Sequence, residues 1–272
     1  MFLPGGPWLC ASLTAPAALQ DSLLAALADP ALEAAIERAG VDRWFFVREA
    51  GPTGVPELRL RFHGRPQSLH GTVLPALHTW SGCLRDAGLV DEFTLTGYRP
   101  ELRRYGGRDA LEAAEQVFHR DSRLVLALLA SKPAATHVEW LAAAGALHLL
   151  AVMLGSADAV GDLPEPRLSA GERRLFTRLR TPLRMQLAAE HGRPPETVTS
   201  HGRGAQRAWQ SWHAALTSYR SHLLDCGQDP ATIGWSLVHM HCNRLVGPDR
   251  VVERVAVALA RDSALTRSTA RR

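Results

Sequence analysis

The stretch Arg43–Phe62, RWFFVREAGPTGVPELRLRF, decides how this chain is read. Two runs rich in aromatic and β-branched or alternating apolar residues, Arg43–Glu49 and Glu57–Phe62, flank the turn-forming Gly51-Pro52-Thr53-Gly54, which predicts a β-hairpin. Period-two alternation in ELRLRF puts Leu58, Leu60 and Phe62 on one face of the second strand. Arg59 and Arg61 then share the other. Working outward, Trp8–Thr14 and Glu92–Tyr98 read as further strands, whereas Leu19–Gly40 and Ser68–Ala87 carry helical spacings.

Beyond Tyr98 the pattern is almost wholly helical. Asp109–Leu129, Val138–Leu154, Gly171–Glu190, Arg203–Asp225, Ile233–Leu245 and Val251–Leu265 have the lengths and apolar spacing of helices. Gly155–Pro166 and His191–Thr199 read as loops, and Arg267–Arg272 as a basic tail. The prediction is an α+β fold, a mainly antiparallel N-terminal sheet with packed helices and then a helix-rich C-terminal half, organised as a single domain over 1–272.

With 272 residues, 46% hydrophobic and 21% charged, the chain has enough apolar surface for a packed core, so disorder is excluded. No apolar run reaches the roughly 18 residues of a membrane span, since Gly145 and His148 interrupt the longest, Leu141–Leu154. The start lacks a basic segment and carries Pro4, Gly5, Gly6 and Pro7 where a signal peptide needs a continuous apolar core. Cys10, Cys83, Cys226 and Cys242 form no CxxC pair and suit reduced thiols. A cytoplasmic protein with no membrane association is expected.

The formal charge is +4, and Lys132 is the single lysine among the basic residues. Arginine's planar fork suits bidentate carboxylate recognition, although an arginine-rich coding bias gives the same skew, so only particular arginines carry an argument. No phosphate-binding loop, dinucleotide fingerprint or GxSxG elbow occurs. His239, His241 and Cys242 are close in sequence, but residues two apart on a helix face different ways, and no further ligand pair stands at a metal-site spacing. No metal and no cofactor are expected.

Three stretches remain: ELRLRF, the segment YRPELRRYGG (Tyr98–Gly107), and the helix SLVHMHCNRLVG (Ser236–Gly247). Each alone has an ordinary structural reading: a solvated strand face, a turn with exposed cations, a core histidine. Together with FFVRE before the hairpin and EQVFHRDS (Glu115–Ser122), in this order, they resemble the C-terminal elimination domain of lantibiotic dehydratases, which also occurs as a separate polypeptide in thiopeptide-type bacteriocin biosynthesis.

The resemblance implies that a separate protein esterifies Ser or Thr of a ribosomal precursor peptide with glutamate from glutamyl-tRNA. This chain then expels the glutamate to leave dehydroalanine or dehydrobutyrine. Removing the α-proton and expelling a carboxylate call for a base and fixed cations. The resemblance assigns Arg59, Arg61 and Arg104 as the cations, with Arg103 the competing counterpart of Arg104 and Arg99 a third nearby cation. It assigns proton transfer to His239, because an imidazole exchanges protons near neutrality; which proton it handles stays open. Tyr105, His241, Asn243 and Arg244 are placed at the substrate or bracing the site.

Two other readings stand beside elimination. Enzymes that build the pyridine or piperidine ring of thiopeptides by formal [4+2] cycloaddition of two dehydroalanines share the scaffold and are expected to lose the arginine and histidine set. A non-catalytic subunit could instead hold the leader peptide along a sheet edge. The expected partners are the precursor peptide, leader and core, and the separate glutamylating protein. Direct tRNA binding is not required, and a homodimer is compatible with the resemblance but leaves no mark in the spacing.

Overall fold

The computed structural model describes residues 1–51, 54–130, 138–186 and 194–270. They form two compact units, Met1–Glu101 and Leu102–Arg272, and the architecture is α+β.

The first unit runs β1 (Trp8–Thr14), α1 (Gln20–Ala25), α2 (Pro30–Arg38), β2 (Arg43–Ala50), β3 (Pro56–His63), α3 (Pro66–Ser68), α4 (Leu74–Asp86) and β4 (Glu92–Thr96). The strands form one antiparallel sheet in the order β2-β3-β1-β4. Hairpin register sets Phe46 opposite Leu60 and Val47 opposite Arg59, while Leu60 faces Ala11 of β1. One sheet face therefore carries Leu9, Ala11, Leu13, Phe46, Leu58, Leu60 and Phe62, all buried. Leu23, Leu24, Leu32, Leu69, Val73 and Leu77 of the helical segments are equally buried. On the same face Arg48 of β2 reaches Asp21 of α1 at 2.9 Å, and Trp80 Nε1 of α4 donates to the Ala26 carbonyl at 2.8 Å.

Prolines divide what periodicity reads as continuous helix. The predicted helix Leu19–Gly40 is broken because Asp29, extended at φ −68° and ψ 121°, caps a new helix whose first residue is Pro30; its carboxylate accepts from Leu32 N–H at 2.8 Å. The predicted helix Ser68–Ala87 begins at Pro66 and widens to a π-helical turn over Leu69–Val73. Pro75 follows at once, and its missing N–H removes a regular helical bond at that place. The fourth strand stops at Thr96, and Tyr98 makes only an isolated bridge with Phe2. Pro52 and Thr53 of the predicted turn lie outside the described residues; Gly51 and Val55 close it at 2.7 Å.

The second unit is helical: a 3-10 turn Leu102–Tyr105, α5 (Leu111–Ala130), α6 (Val138–Leu154), α7 (Asp158–Gly161), α8 (Ala170–Gln186), α9 (Glu196–Thr199), α10 (Gly202–Asp225), α11 (Pro230–Val246) and α12 (Arg250–Ala270). Apolar on all sides, α6 is the core helix, packed by α11, α12 and α10, while α10 also lies along α5. Two expectations are corrected here. Gly155–Pro166 is not all loop, because Ser156 Oγ accepts from Ala159 N–H and starts α7. The stretch Arg267–Ala270 is not a loose tail but the last turn of α12. Of the predicted loop His191–Thr199, Glu196–Thr199 is helical; residues 191–193, like the predicted end of the preceding helix at 187–190 and Arg271–Arg272, lie outside the described residues. Among the described residues no helix is long and apolar enough to cross a membrane.

Candidate functional site

The second face of the sheet gathers the strand arginines. Arg59 and Arg61 stand beside Ser12 and Cys10 of β1 and Val47 and Phe45 of β2, by the register of the ladders. Their surroundings differ. Arg59 is held between two carboxylates, pairing with Glu49 at 2.5 Å and donating from Nε to Glu57 at 3.0 Å; Glu57 also accepts from Ser12 Oγ at 2.8 Å. Arg61 instead lies over the rings of Phe45 and Tyr98, 5.4 and 5.0 Å from their centroids. Among the described residues no carboxylate pairs with it. Cys10, Arg59, Leu60, Arg61, Thr96 and Gly97 line a hollow of about 170 Å³ there.

The second unit holds the remaining candidates. Its 3-10 turn packs against α11. Gly106 and Gly107 both adopt positive φ, and a Cβ at Gly106 would lie 2.6 Å from Leu223, so the RYGG turn needs glycine there. Arg104 lies over the ring of Tyr105 at 5.6 Å, and Tyr105 is buried edge-on against Phe118, its carbonyl accepting from Tyr219 Oη at 3.0 Å. Burial pushes the Tyr219 phenol up.

Helix α11 starts from Asp229, whose carboxylate accepts from Ala231 and Thr232 N–H, with Pro230 first in the helix, and ends at Gly247 with φ 82°. Along it His239 and His241 turn to different partners. His239 is about four-fifths buried and its Nδ1 lies 2.8 Å from Glu253 Oε2 of α12, with Arg250 Nη1 3.0 Å away. Burial pushes the Glu253 carboxyl up, but the hydrogen bond to His239 and the charge of Arg250 outweigh it and hold the group below its ordinary value.

His241 is fully buried. Its Nδ1 lies 2.6 Å from Asp121 Oδ1 of α5, and Arg244 Nη1 donates to the other oxygen at 2.8 Å. Burial alone would raise the Asp121 carboxyl; the imidazole and guanidinium on its two oxygens hold it below the usual carboxylate range. The His241 ring stacks on Trp212, and Arg244 lies over Phe118. Asn243 is buried in the same turn of helix. The Cys242 thiol is pushed up by burial, then by Glu253 and Asp121, which keeps it protonated and a poor metal ligand. Among the described residues no three His, Cys, Asp or Glu side chains are grouped to hold a metal ion.

One family model, lantibiotic biosynthesis dehydratase C-term, matches residues 8–264. The chain belongs to that family. This lantibiotic dehydratase C-terminal chain is 28% identical over 239 residues to the subtilin biosynthesis protein SpaB of Bacillus subtilis, covering 81% of this chain and 22% of SpaB. Among solved structures it is similar to the tRNA dependent lantibiotic dehydratase MibB from Microbispora sp. 107891, with TM-score 0.79 and 26% identity over 98% of this chain and 29% of MibB. The fold is shared with the pyridine synthase TbtD from thiomuracin biosynthesis, with TM-score 0.68 and 17% identity over 96% of this chain and 98% of TbtD. The chain thus spans between a fifth and a third of the length of SpaB and MibB.

Within the lantibiotic dehydratase C-terminal chain, the sequence-predicted residues fall into three sets: Arg59 with Arg61, Arg104 with Tyr105, and the α11 residues, of which His239 meets α12 while His241 and Arg244 meet α5. Arg103 and Arg99 are exposed. Sequence reasoning missed the carboxylates Asp121 and Glu253. The available signal was an acid inside an apolar stripe: Phe118, Asp121 and Val125 at one face of α5, and Glu253, Ala256 and Ala260 at one face of α12.

Proposed function

We propose that the chain is the elimination enzyme of a ribosomal peptide natural product pathway, expelling glutamate from glutamylated Ser or Thr of a precursor peptide. The observation that carries the reading is Arg61: a guanidinium fixed over two aromatic faces, beside a hollow, with no carboxylate of its own among the described residues. A cation kept in place without an internal anion is a receptor for an external one, and the guanidinium fork matches a carboxylate. Similarity at 26% identity to MibB, a tRNA dependent lantibiotic dehydratase, supports the reading.

In the reaction His239 removes the α-proton of the acylated residue. The electron pair forms the Cα–Cβ double bond, the Cβ–O bond breaks, and glutamate departs as a carboxylate. Arg61 holds the glutamyl group as charge develops, an electrostatic stabilisation made before the reaction begins. Arg59, already balanced by Glu49 and Glu57, frames the hollow, and Arg104 is the other proposed cation. His241, Asn243 and Arg244 brace α11. The glutamyl group comes from a separate tRNA-dependent protein, so this chain needs no tRNA contact, and the reaction belongs to the cytoplasm, where all four cysteines stay free.

The test is glutamate release from a chemically glutamylated precursor. Release that collapses in Arg61→Lys and His239→Ala supports elimination. The full-length fold match with a pyridine synthase favours one competing reading, ring formation from two dehydroalanines. Macrocyclisation of a bis-dehydroalanine precursor with leader loss, and no glutamate release, would replace elimination by that reading.

A further inference from the structure

We infer that Glu253 is the positioning residue of His239, fixing the imidazole with its proton on Nδ1 so that Nε2 is the bare nitrogen that receives the substrate proton. The inference rests on the elimination reading for the identity of that proton, but the proton on Nδ1 follows from the geometry.

At 2.8 Å from Glu253 Oε2, the His239 Nδ1 must donate, since an ionised carboxylate only accepts. Arg250 Nη1 also lies 3.0 Å from Nδ1, yet a protonated Nδ1 has no lone pair to offer it. The guanidinium is satisfied instead by Glu253, at 3.0 and 3.2 Å from its two oxygens. Nε2 bonds no described residue. An imidazole bound at Nδ1 to a carboxylate and open at Nε2 is arranged to accept a proton at one defined atom.

The chain folds to make this contact. Gly247, at φ 82°, lets α11 turn sharply, and Pro248 follows. Asp249 caps α12, its carboxylate accepting from Val251 and Val252 N–H and its carbonyl from Glu253 N–H. Glu253 therefore rides the first turn of α12, where the helix dipole favours an anion, and arrives opposite His239, fourteen residues back. The other elements packed on α11 bring no competing partner to this ring. Asp121 of α5 is engaged by His241 and Arg244, α6 carries only Glu139 and His148 as titratable groups, His148 meets His213 of α10, and the 3-10 turn offers Arg103 and Arg104.

The experiment combines two readouts on wild type, Glu253→Gln, Glu253→Ala and His239→Asn. Long-range 1H–15N correlation spectra near neutral pH, with the His239 signals assigned by their loss in His239→Asn, report the tautomer without any need for activity. Wild type should show a protonated Nδ1 and a bare Nε2. Glu253→Gln keeps an acceptor and should keep that tautomer, whereas Glu253→Ala should shift the population toward Nε2–H. For glutamate release, Glu253→Ala should lose roughly tenfold to a hundredfold in kcat with little change in KM, and Glu253→Gln should recover most of it. A wild-type tautomer in Glu253→Ala overturns the inference, as does an equal loss of kcat in Glu253→Gln and Glu253→Ala. Full glutamate release by His239→Asn would instead overturn His239 as the base, while the spectra still decide what Glu253 does.

Discussion

Gly145→Ala should be far more damaging than a glycine-to-alanine change within a helix usually is. In isolation the substitution favours helix by roughly 1 kcal/mol. Here a Cβ would sit 2.0 Å from Nε2 of His241, 2.5 Å from its Cδ2 and 2.9 Å from its Cε1, where ordinary contact begins near 3.4 Å. The ring cannot retreat freely, because Trp212 stacks on it and Asp121 holds Nδ1 at 2.6 Å. Overpacking a core costs about 1–3 kcal/mol, and disrupting a buried charged pair about 3–5 kcal/mol. Partial separation of α6 from α11 shares the strain, so the expected net loss is about 3 kcal/mol, or roughly 6–12 °C in the melting temperature of a unit this size. Urea denaturation of Gly145→Ala, His241→Ala and the double variant measures it as a cycle. With the ring gone the three atoms nearest the added methyl are removed, so Gly145→Ala should be neutral or stabilising in the His241→Ala background. An equal cost in both backgrounds would refute the account of that contact.

Asp121→Asn should destabilise the helical unit by about 3–5 kcal/mol, because it removes the charge of a buried carboxylate to which both His241 and Arg244 are bonded; a urea midpoint near wild type would refute this. The acid response follows from the sign of the same shift. Asp121 is depressed in the folded state, so its stabilisation is complete above the unfolded value near ~4 and is lost as pH falls from there through the lower folded value, which gives wild type a steeper loss of stability below about pH 4 than Asp121→Asn. Urea midpoints at a series of pH values read the two slopes directly. Arg61→Lys keeps the charge but loses the flat stack on Phe45 and Tyr98, and should cost glutamate release about tenfold or more at nearly unchanged melting temperature; wild-type release would contradict the role given to the guanidinium plane. Native thiol titration should count Cys83 and Cys226 promptly, with Cys10 and Cys242 reacting only after denaturation; rapid labelling of Cys242 would mean that α11 opens.

The regular elements were legible where one local rule governed them. Trp8–Thr14 and Val138–Leu154 match the sequence reading end to end, the first because a strand's neighbours are all apolar or small, the second because its apolar run is unbroken by proline. Legibility failed where two rules met. Within Leu19–Gly40 the helical spacing continues across Asp29-Pro30, but the capping carboxylate and the ring that cannot donate start a new helix there. At the candidate site, alternation separated Arg59 and Arg61 from the core side of β3 and put Glu57 beside Arg59, but it could not show that Glu49 completes the balance of Arg59 while two aromatic rings hold Arg61, since Glu49 and Phe45 come from β2 and Tyr98 from beyond β4. Asp121 and Glu253 left only the mark of an acid within an apolar stripe, because the contacts that give them meaning span 120 and 14 residues.

The two carboxylate–imidazole pairs on α11 explain why a helix would carry histidines two residues apart. In the proposed elimination the base must be held at a fixed height and rotation relative to its substrate, and misplacement by about 1 Å is enough to cost roughly a hundredfold in rate. One exposed ion pair cannot impose that, because exposed pairs contribute about 1 kcal/mol or less and leave the helix free to shift. A buried charge network penalises any displacement that breaks it by several kcal/mol. His241, clamped by Asp121 and pressed against Gly145, sets the position of α11 from behind. His239, half a turn away and open at Nε2, can then be oriented by the single contact to Glu253.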